Sequence, residues 1–225
     1  MNYSQKNTSR GFTLIELLTV IAIIGVLAAL VFPAIGNALS KATNKRAQSN
    51  LRTIAQAYIA YQNSGTPTRN IIAADIPEWS GVLAVNEEIW DGKLYYIDTD
   101  PGIPATIPST VGTISANKVF TADPAFLGQS VEVVSGLTKK GGTFPVVWSF
   151  GLKTDGTWDP ADSAFEANEG IIAFTDGSAQ FYEDGLKDAG GNGLLRDFTT
   201  KAATFNIEAA IGGGTIRKPT GRAGS

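Results

Sequence analysis

Few residues in this chain could carry chemistry, and Glu16 is the one in the least comfortable place. It stands at the head of a run, Leu17 to Ser40, that contains no charged residue. The stretch Leu17 to Ile35 is almost wholly apolar, and a helix of about 20 such residues crosses a hydrocarbon core of roughly 30 Å. A carboxylate at the edge of such a segment costs a few kcal/mol on insertion unless it is paired or neutralised. An ionisable residue there is therefore a pointer to function. Three simpler readings leave it without a reason. A secretory signal peptide should have an apolar core of about 7–15 residues ending in a small-x-small site; this run is longer, and Ala28-Ala29 is a poor site. A plain membrane anchor and a buried core helix are the other two, and neither needs Glu16.

Other chemistry is narrow. The chain has no His and no Cys, which removes the commonest general base, the commonest zinc ligand and any disulfide or thiolate. No nucleophile–base pair is recognisable, so an enzyme is not expected, and no cofactor is required. A net charge of −3 and a pI near 5.0 argue against nucleic acid as the main partner. Asp184, Asp188 and Asn192 lie in the glycine-rich loop Glu183–Gly193. Oxygen ligands on a flexible loop suit Ca²⁺, and a solvated, turn-rich loop is the competing reading. Asp155, Asp159 and Asp162 around Trp158 form a second acidic loop, weighed the same way. Arg217, Lys218 and Arg222 follow Gly212-Gly-Gly214 and read as a mobile basic tail. Trp79, Trp90, Trp148 and Trp158 read as packing residues rather than a sugar platform.

The elements that must position these residues follow from periodicity. After Ser40 the apolar pattern persists on one face only: Ala47, Leu51, Ile54, Tyr58 and Tyr61 recur at helical spacing, with Arg46, Asn50, Thr53 and Gln56 off the stripe. A single helix from Phe12 to Asn63 would be roughly 78 Å long at about 1.5 Å per residue. Pro33 sits inside it and removes a hydrogen bond, which predicts a kink or a locally melted turn. Gly65 is the expected C-terminal cap, with Pro67 just beyond. From Thr66 onward Gly and Pro are frequent and apolar runs are short. Lys93–Asp98, Lys118–Thr121, Val131–Val134 and Phe144–Phe150 read as strands. Gly170–Tyr182 reads as a hairpin about a two-residue Asp176-Gly177 turn. That turn pairs Thr175 with Ser178, Phe174 with Ala179 and Ile172 with Phe181. It puts Ile172, Phe174, Ala179 and Phe181 on one core-facing surface.

Gly11-Phe12-Thr13-Leu14-Ile15-Glu16-Leu17-Leu18 resembles the cleavage and methylation motif of type IV prepilins and type II secretion pseudopilins. The resemblance extends through Gly25 and Pro33, over about the first 60 residues. It implies that a membrane aspartyl peptidase, the prepilin peptidase, cuts between Gly11 and Phe12 and then methylates the new amine of Phe12. Glu16 becomes the fifth residue of the mature chain. Cleavage before the apolar run leaves the anchor on the subunit, which can wait in the bilayer and later enter a filament. Gly11, without a Cβ, suits a peptidase that needs close backbone access. Charge does not settle orientation, since Lys6 and Arg10 precede the span and Lys41, Lys45 and Arg46 follow it. The resemblance does: the leader is cytoplasmic and the head periplasmic on a single pass of a bacterial inner membrane, with a filament then formed in the periplasm or at the cell surface. The implied partners are other copies, related pilin-like subunits, and an inner-membrane assembly platform with its ATPase. Some type II secretion pseudopilins bind calcium in a C-terminal loop. The phrase Ile172–Phe181 is also similar to a late hairpin of pseudopilin-like proteins, where a His often follows the Gly; here Ser178 stands in that place.

The expected fold is α+β, a long N-terminal helix whose second half packs on a small antiparallel β-rich head. The expected division is a leader at 1–11, a transmembrane and filament-core helix at 12–40, its amphipathic continuation at 41–65, the head at 66–211 and a flexible tail at 212–225. The favoured function is a subunit of a type II secretion-like pseudopilus. The alternatives are a type IV pilus subunit for adhesion, motility or DNA uptake, and a membrane-tethered binding protein that does not polymerise. A cysteine-bounded C-terminal loop, common in major pilins, has no counterpart here, which tilts the reading toward the pseudopilin. Residues 66–170 carry no recognisable motif.

Overall fold

A computed structural model describes residues 12–65, 69–137, 143–165 and 168–222. Its first element, helix α1 (Leu14–Asn63), is shared between two compact units that divide between Ala42 and Thr43. In the first unit the helix is apolar and exposed. It runs unbroken through Pro33, so the melted turn that a proline allows is not seen. In the second unit the amphipathic stripe is as the spacing requires: Ala47, Leu51, Ile54 and Tyr58 are buried, Tyr61 is half-buried, and Arg46 and Gln56 are exposed. Burying each of Leu51 and Ile54 contributes about 1.5–3 kcal/mol. Gln48 Nε2 donates to the Ala179 carbonyl at 2.6 Å. The helix ends without a left-handed glycine. Ser64 closes it instead, its N–H reaching Ala60 O at 3.0 Å and its Oγ reaching Tyr61 O at 2.8 Å.

The stripe meets a second helix, α2 (Ile76–Glu87). Its start is written in Asp75-Ile-Pro-Glu78. Asp75 caps Glu78 N at 2.8 Å, the Glu78 carboxylate reaches back to Ala74 N at 2.7 Å, and Pro77 sits in the first turn, where a missing N–H costs nothing. Trp79 of α2 stacks on Tyr58 at 5.8 Å and donates its indole N–H to Val134 O at 2.9 Å.

The remaining strands are short. β1 (Gly112–Ile114) and β2 (Phe120–Ala122) form one antiparallel pair. β3 (Val131–Ser135), β4 (Pro145–Ser149), β5 (Gly170–Phe174), β6 (Ala179–Tyr182) and β9 (Thr215–Arg217) form an antiparallel sheet in the order β6-β5-β4-β3-β9. β7 (Leu195–Arg196) pairs with β8 (Ala203–Thr204). Helix α3 (Ile207–Ile211), capped by Asn206, precedes β9. Every residue of β3, β4 and β5 is buried, so the sheet is covered on both faces. On one face Trp158 stacks on Tyr182 at 6.2 Å and donates to Ser149 O at 3.1 Å. The α+β architecture is therefore the expected one.

Three further expectations are corrected. Lys93–Asp98 is no strand: Asp91 accepts Lys93 N at 2.9 Å and winds Gly92–Tyr95 into a 3-10 turn. The hairpin is shifted by one residue. Asp176 accepts both Ser178 N at 2.8 Å and Ser178 Oγ at 2.6 Å, and Gly177 takes φ +79°. This makes a three-residue loop closed by Phe174 N to Ser178 O at 2.9 Å. Ala173 now pairs with Ala179 and Ile171 with Phe181. The face therefore holds Ile171, Ala173, Ala179 and Phe181, while Ile172 and Phe174 point to the other side. Finally, the mobile tail from Gly212 is structured over its described residues. β9 pairs with β3, and Arg222 is buried against Asp100, with Nη2–Oδ1 at 2.6 Å and Nη1–Oδ2 at 2.9 Å.

Candidate functional site at the head of the first helix

Thr13 and Glu16 build the start of α1 together. Thr13 Oγ1 accepts Glu16 N at 3.3 Å, and Glu16 Oε2 accepts Thr13 N at 2.8 Å and Thr13 Oγ1 at 2.7 Å. This is a reciprocal capping box, with a Thr at the cap and a Glu three residues on. Two of the orphan donors that every helix start leaves open are thereby satisfied. Both bonds to the carboxylate run to one oxygen. Since a carboxylate accepts at both of its oxygens, Glu16 can hold Thr13 through Oε2 and a cation through Oε1. One turn on, Thr19 Oγ1 donates to Ile15 O at 3.0 Å and to Glu16 O at 2.9 Å. That hydroxyl is satisfied within its own helix, as a hydrocarbon surrounding demands.

Around these groups the surface is apolar and bare. Phe12 is 86% exposed, and Leu14, Ile15, Leu17, Leu18, Ile21 and their successors up to Leu39 are exposed as well. Leu14–Phe32 is long and apolar enough to cross a membrane. A continuous apolar surface of this extent is an interaction surface: lipid, or other helices of the same kind, must cover it. Of the residues singled out at this end, Phe12 and Glu16 are described and lie within one helical turn. Gly11 lies outside the described residues. Thr13 and Thr19 were missed by the sequence reading, although Thr-x-x-Glu before an apolar run is the written form of the cap.

The acidic loops are differently built. Asp188 Oδ1 accepts Gly190 N at 2.9 Å and Asn192 N at 2.8 Å, and Asp188 Oδ2 accepts the Asn192 amide at 3.1 Å. These bonds hold Asp188 below the usual carboxylate range, Asn192 contributing most. Asp184 turns elsewhere, to the Asn168 amide at 3.3 Å. The three residues thus do not fit a calcium ion as arranged, since Asn192 presents N–H donors where a cation needs oxygens. Asp155 likewise caps Thr157, and Asp159 pairs with Lys153 at 2.9 Å. Among the described residues no cluster of three or more potential metal-ligating side chains forms. Trp79, Trp148 and Trp158 are buried and Trp90 partly so, as packing residues should be.

Comparison with known proteins bears on the helix and on more than the helix. Residues 6–32 match the family described as the prokaryotic N-terminal methylation motif. Fimbrial protein Q of Moraxella bovis is 33% identical over 113 residues, which span 50% of this chain and 72% of that protein. The type IV major alpha-pilin of Moraxella bovis is 51% identical over 45 residues, 20% of this chain and 28% of that protein. No solved structure matches. The methylation motif falls on the capped, apolar helix, and the likeness to fimbrial protein Q runs well beyond it. The chain belongs to the type IV pilin-like family.

Proposed function

We propose that the mature protein begins at Phe12, is held in the bacterial inner membrane by Leu14–Phe32, and leaves it to build a filament from copies of itself and related subunits. The observation that carries this reading is the juxtaposition of one capping carboxylate, Glu16, with an exposed, largely apolar helix surface. Such a surface is stable only in lipid or against like helices, and the carboxylate gives like helices a register. The prepilin peptidase, an assembly platform and its ATPase are the partners this requires. The two relatives are a fimbrial protein and a major pilin, which supports a surface pilus for adhesion, motility or DNA uptake. A secretion pseudopilus is the second reading, supported by the resemblance of the late hairpin, β5 and β6, to pseudopilin-like proteins. In either case the leader is cytoplasmic and the head starts on the far side of the membrane.

The test is recovery of the assembled form. Shearing intact native cells should release filaments whose mass spectrum contains head peptides of this chain at stoichiometric level. If the head is found only in the membrane fraction, in cells whose periplasm also yields no filament, the polymer reading fails. A filament confined to the periplasm selects the pseudopilus.

A further inference from the structure

Among the described residues four buried side-chain atoms of the head make no hydrogen bond, in Tyr95, Gln129, Glu132 and Arg217, and Glu132 is the carboxylate among them. Glu132 lies in β3, in a cross-strand row with Trp148 and Ile172. It is 1% exposed. Its Oε2 accepts the Trp148 indole N–H at 2.6 Å, while Oε1 makes no hydrogen bond. Lys218 Nζ pairs with Oε1 at 3.7 Å, a long ion pair made by a side chain that is 66% exposed. A buried carboxylate oxygen held by a long, exposed ion pair is incompletely satisfied, and a closer donor in that place would be stabilising.

Oε1 is itself closed to solvent, so a new donor must take the place of a neighbour, and Lys218 is the exposed one. Glu132 lines a cleft of about 930 Å³, within the size range of small-molecule sites. Asp155, Asp159, Asp162 and Glu208 line it as well, against the ammonium groups of Lys153 and Lys218 alone. Five carboxylates against two lysines leave its lining net negative, with Asp159 paired to Lys153 at 2.9 Å and the Arg222 guanidinium acting on Glu132 from beside the cleft. Part of the wall is apolar: Phe150, Ile207, Ile211 and Ile216. Burial pushes the Glu132 carboxyl up to about 7, against the opposing pull of Lys218, Trp148 and Arg222. A metal is the poorer occupant, because no cluster of metal-ligating side chains forms among the described residues and a hard cation needs about six oxygens.

We infer that this cleft binds a primary alkylammonium group, its N–H donated to Glu132 Oε1 and its methylene stem laid along the isoleucines. Lys218 is then the internal competitor that the ligand displaces. The same chemistry comes from a free polyamine or from a lysine side chain of a partner protein. This site stands apart from the filament reading, and nothing in its test depends on polymerisation.

The full chain in detergent is titrated calorimetrically at about pH 8 with spermidine and, separately, with an acetylated tri-lysine amide. At least one should bind, and Glu132→Gln should weaken it by about tenfold or more, the worth of a hydrogen bond to a charged group. Lys218→Ala should tighten it. Spermidine alone binding assigns a free amine; the peptide alone binding assigns a chain-borne lysine. No binding by either probe, or equal affinity in a Glu132→Gln protein that melts like the wild type, overturns the inference. Should Glu132→Gln fail to fold, the wild type decides. Protonation of Glu132 near pH 5.5 must weaken binding several-fold relative to about pH 8, and a pH-independent affinity overturns the proposal.

Discussion

Glu16→Gln is expected to abolish filament assembly while leaving membrane insertion and cleavage intact. The substitution is chosen because Gln, like Glu, serves a capping box at the third helical position. The bonds from Thr13 N and Oγ1 can therefore survive, and the helix start is retained. Only the charge is lost. In the filament account, packed helices exclude water and the Phe12 amine produced by cleavage is a buried cation that needs an anion. N-methylation leaves that amine positive. Removing one partner of a buried ion pair costs about 3–5 kcal/mol, and each 1.4 kcal/mol is roughly tenfold in an equilibrium constant. Subunit association should fall by about a hundredfold or more. Glu16→Val, which removes cap and charge together, should fail as completely. Glu16→Asp should be intermediate, its reach being one methylene shorter. Sheared filament yield, measured beside the amount of processed subunit in the membrane, distinguishes these outcomes. If Glu16→Gln assembles at the wild-type level and Glu16→Val does not, Glu16 acts through the cap and the charge-pair account is wrong.

Arg222→Met should lower the melting temperature of the head more than any other single change near the C-terminus. The Arg222 and Asp100 side chains are 6% and 0% exposed. The guanidinium also donates to Gln129 O at 2.9 Å and lies 4.1 Å over the Phe150 ring. Asp100 Oδ1 in turn accepts Gly102 N at 2.8 Å. The loop around Asp100 and the end of the chain are thus tied by one bidentate pair. Methionine fills much of the volume and leaves Asp100 buried and unpaired, at a cost of about 3–5 kcal/mol. At about 2–4 °C per kcal/mol for a domain of this size, the expected fall is on the order of 10 °C. Adding Asp100→Leu should restore most of it, because a buried pair can be replaced by apolar groups at little net cost. The exposed pair Arg46–Asp98, at 71% and 55% exposure, is the control: Arg46→Ala should change stability by less than about 1 kcal/mol. Thermal unfolding of the full chain in detergent, followed by near-UV circular dichroism, checks all three. Equal, small shifts in Arg222→Met and Arg46→Ala would show that the C-terminal pair does not hold the head together.

The contrast between these two sites explains what could be read in the sequence. The helix is local physics. An apolar run, then a stripe at Ala47, Leu51, Ile54 and Tyr58, repeats at a period that only a helix satisfies. The methylation motif, matched over residues 6–32, is contiguous and so legible as well. The Arg222–Asp100 pair joins residues 122 apart in sequence, and no local pattern announces it; three glycines before a basic segment look like a tail. Glu132 is invisible for the same reason. It is one residue of a short strand until β4 pairs with β3 and brings the Trp148 indole against its carboxylate. Helix α2 was legible in Asp75-Ile-Pro-Glu78 and missed, because its residues are apolar around much of the helix and lack a clean stripe. The hairpin turned on a finer point: Asp-Gly serves two-residue and three-residue loops alike, and the Asp176 bonds to Ser178 select the longer one.

The account as a whole rests on one event, removal of the leader ahead of an anchor that stays on the chain. The N-terminal peptide of the native protein, recovered from membranes and sequenced by tandem mass spectrometry, tests it most directly. The account predicts a peptide that begins at Phe12 and carries one methyl group on its α-amine. A chain that begins at Met1, or one cut after Ala29 so that the apolar helix is lost, would contradict it.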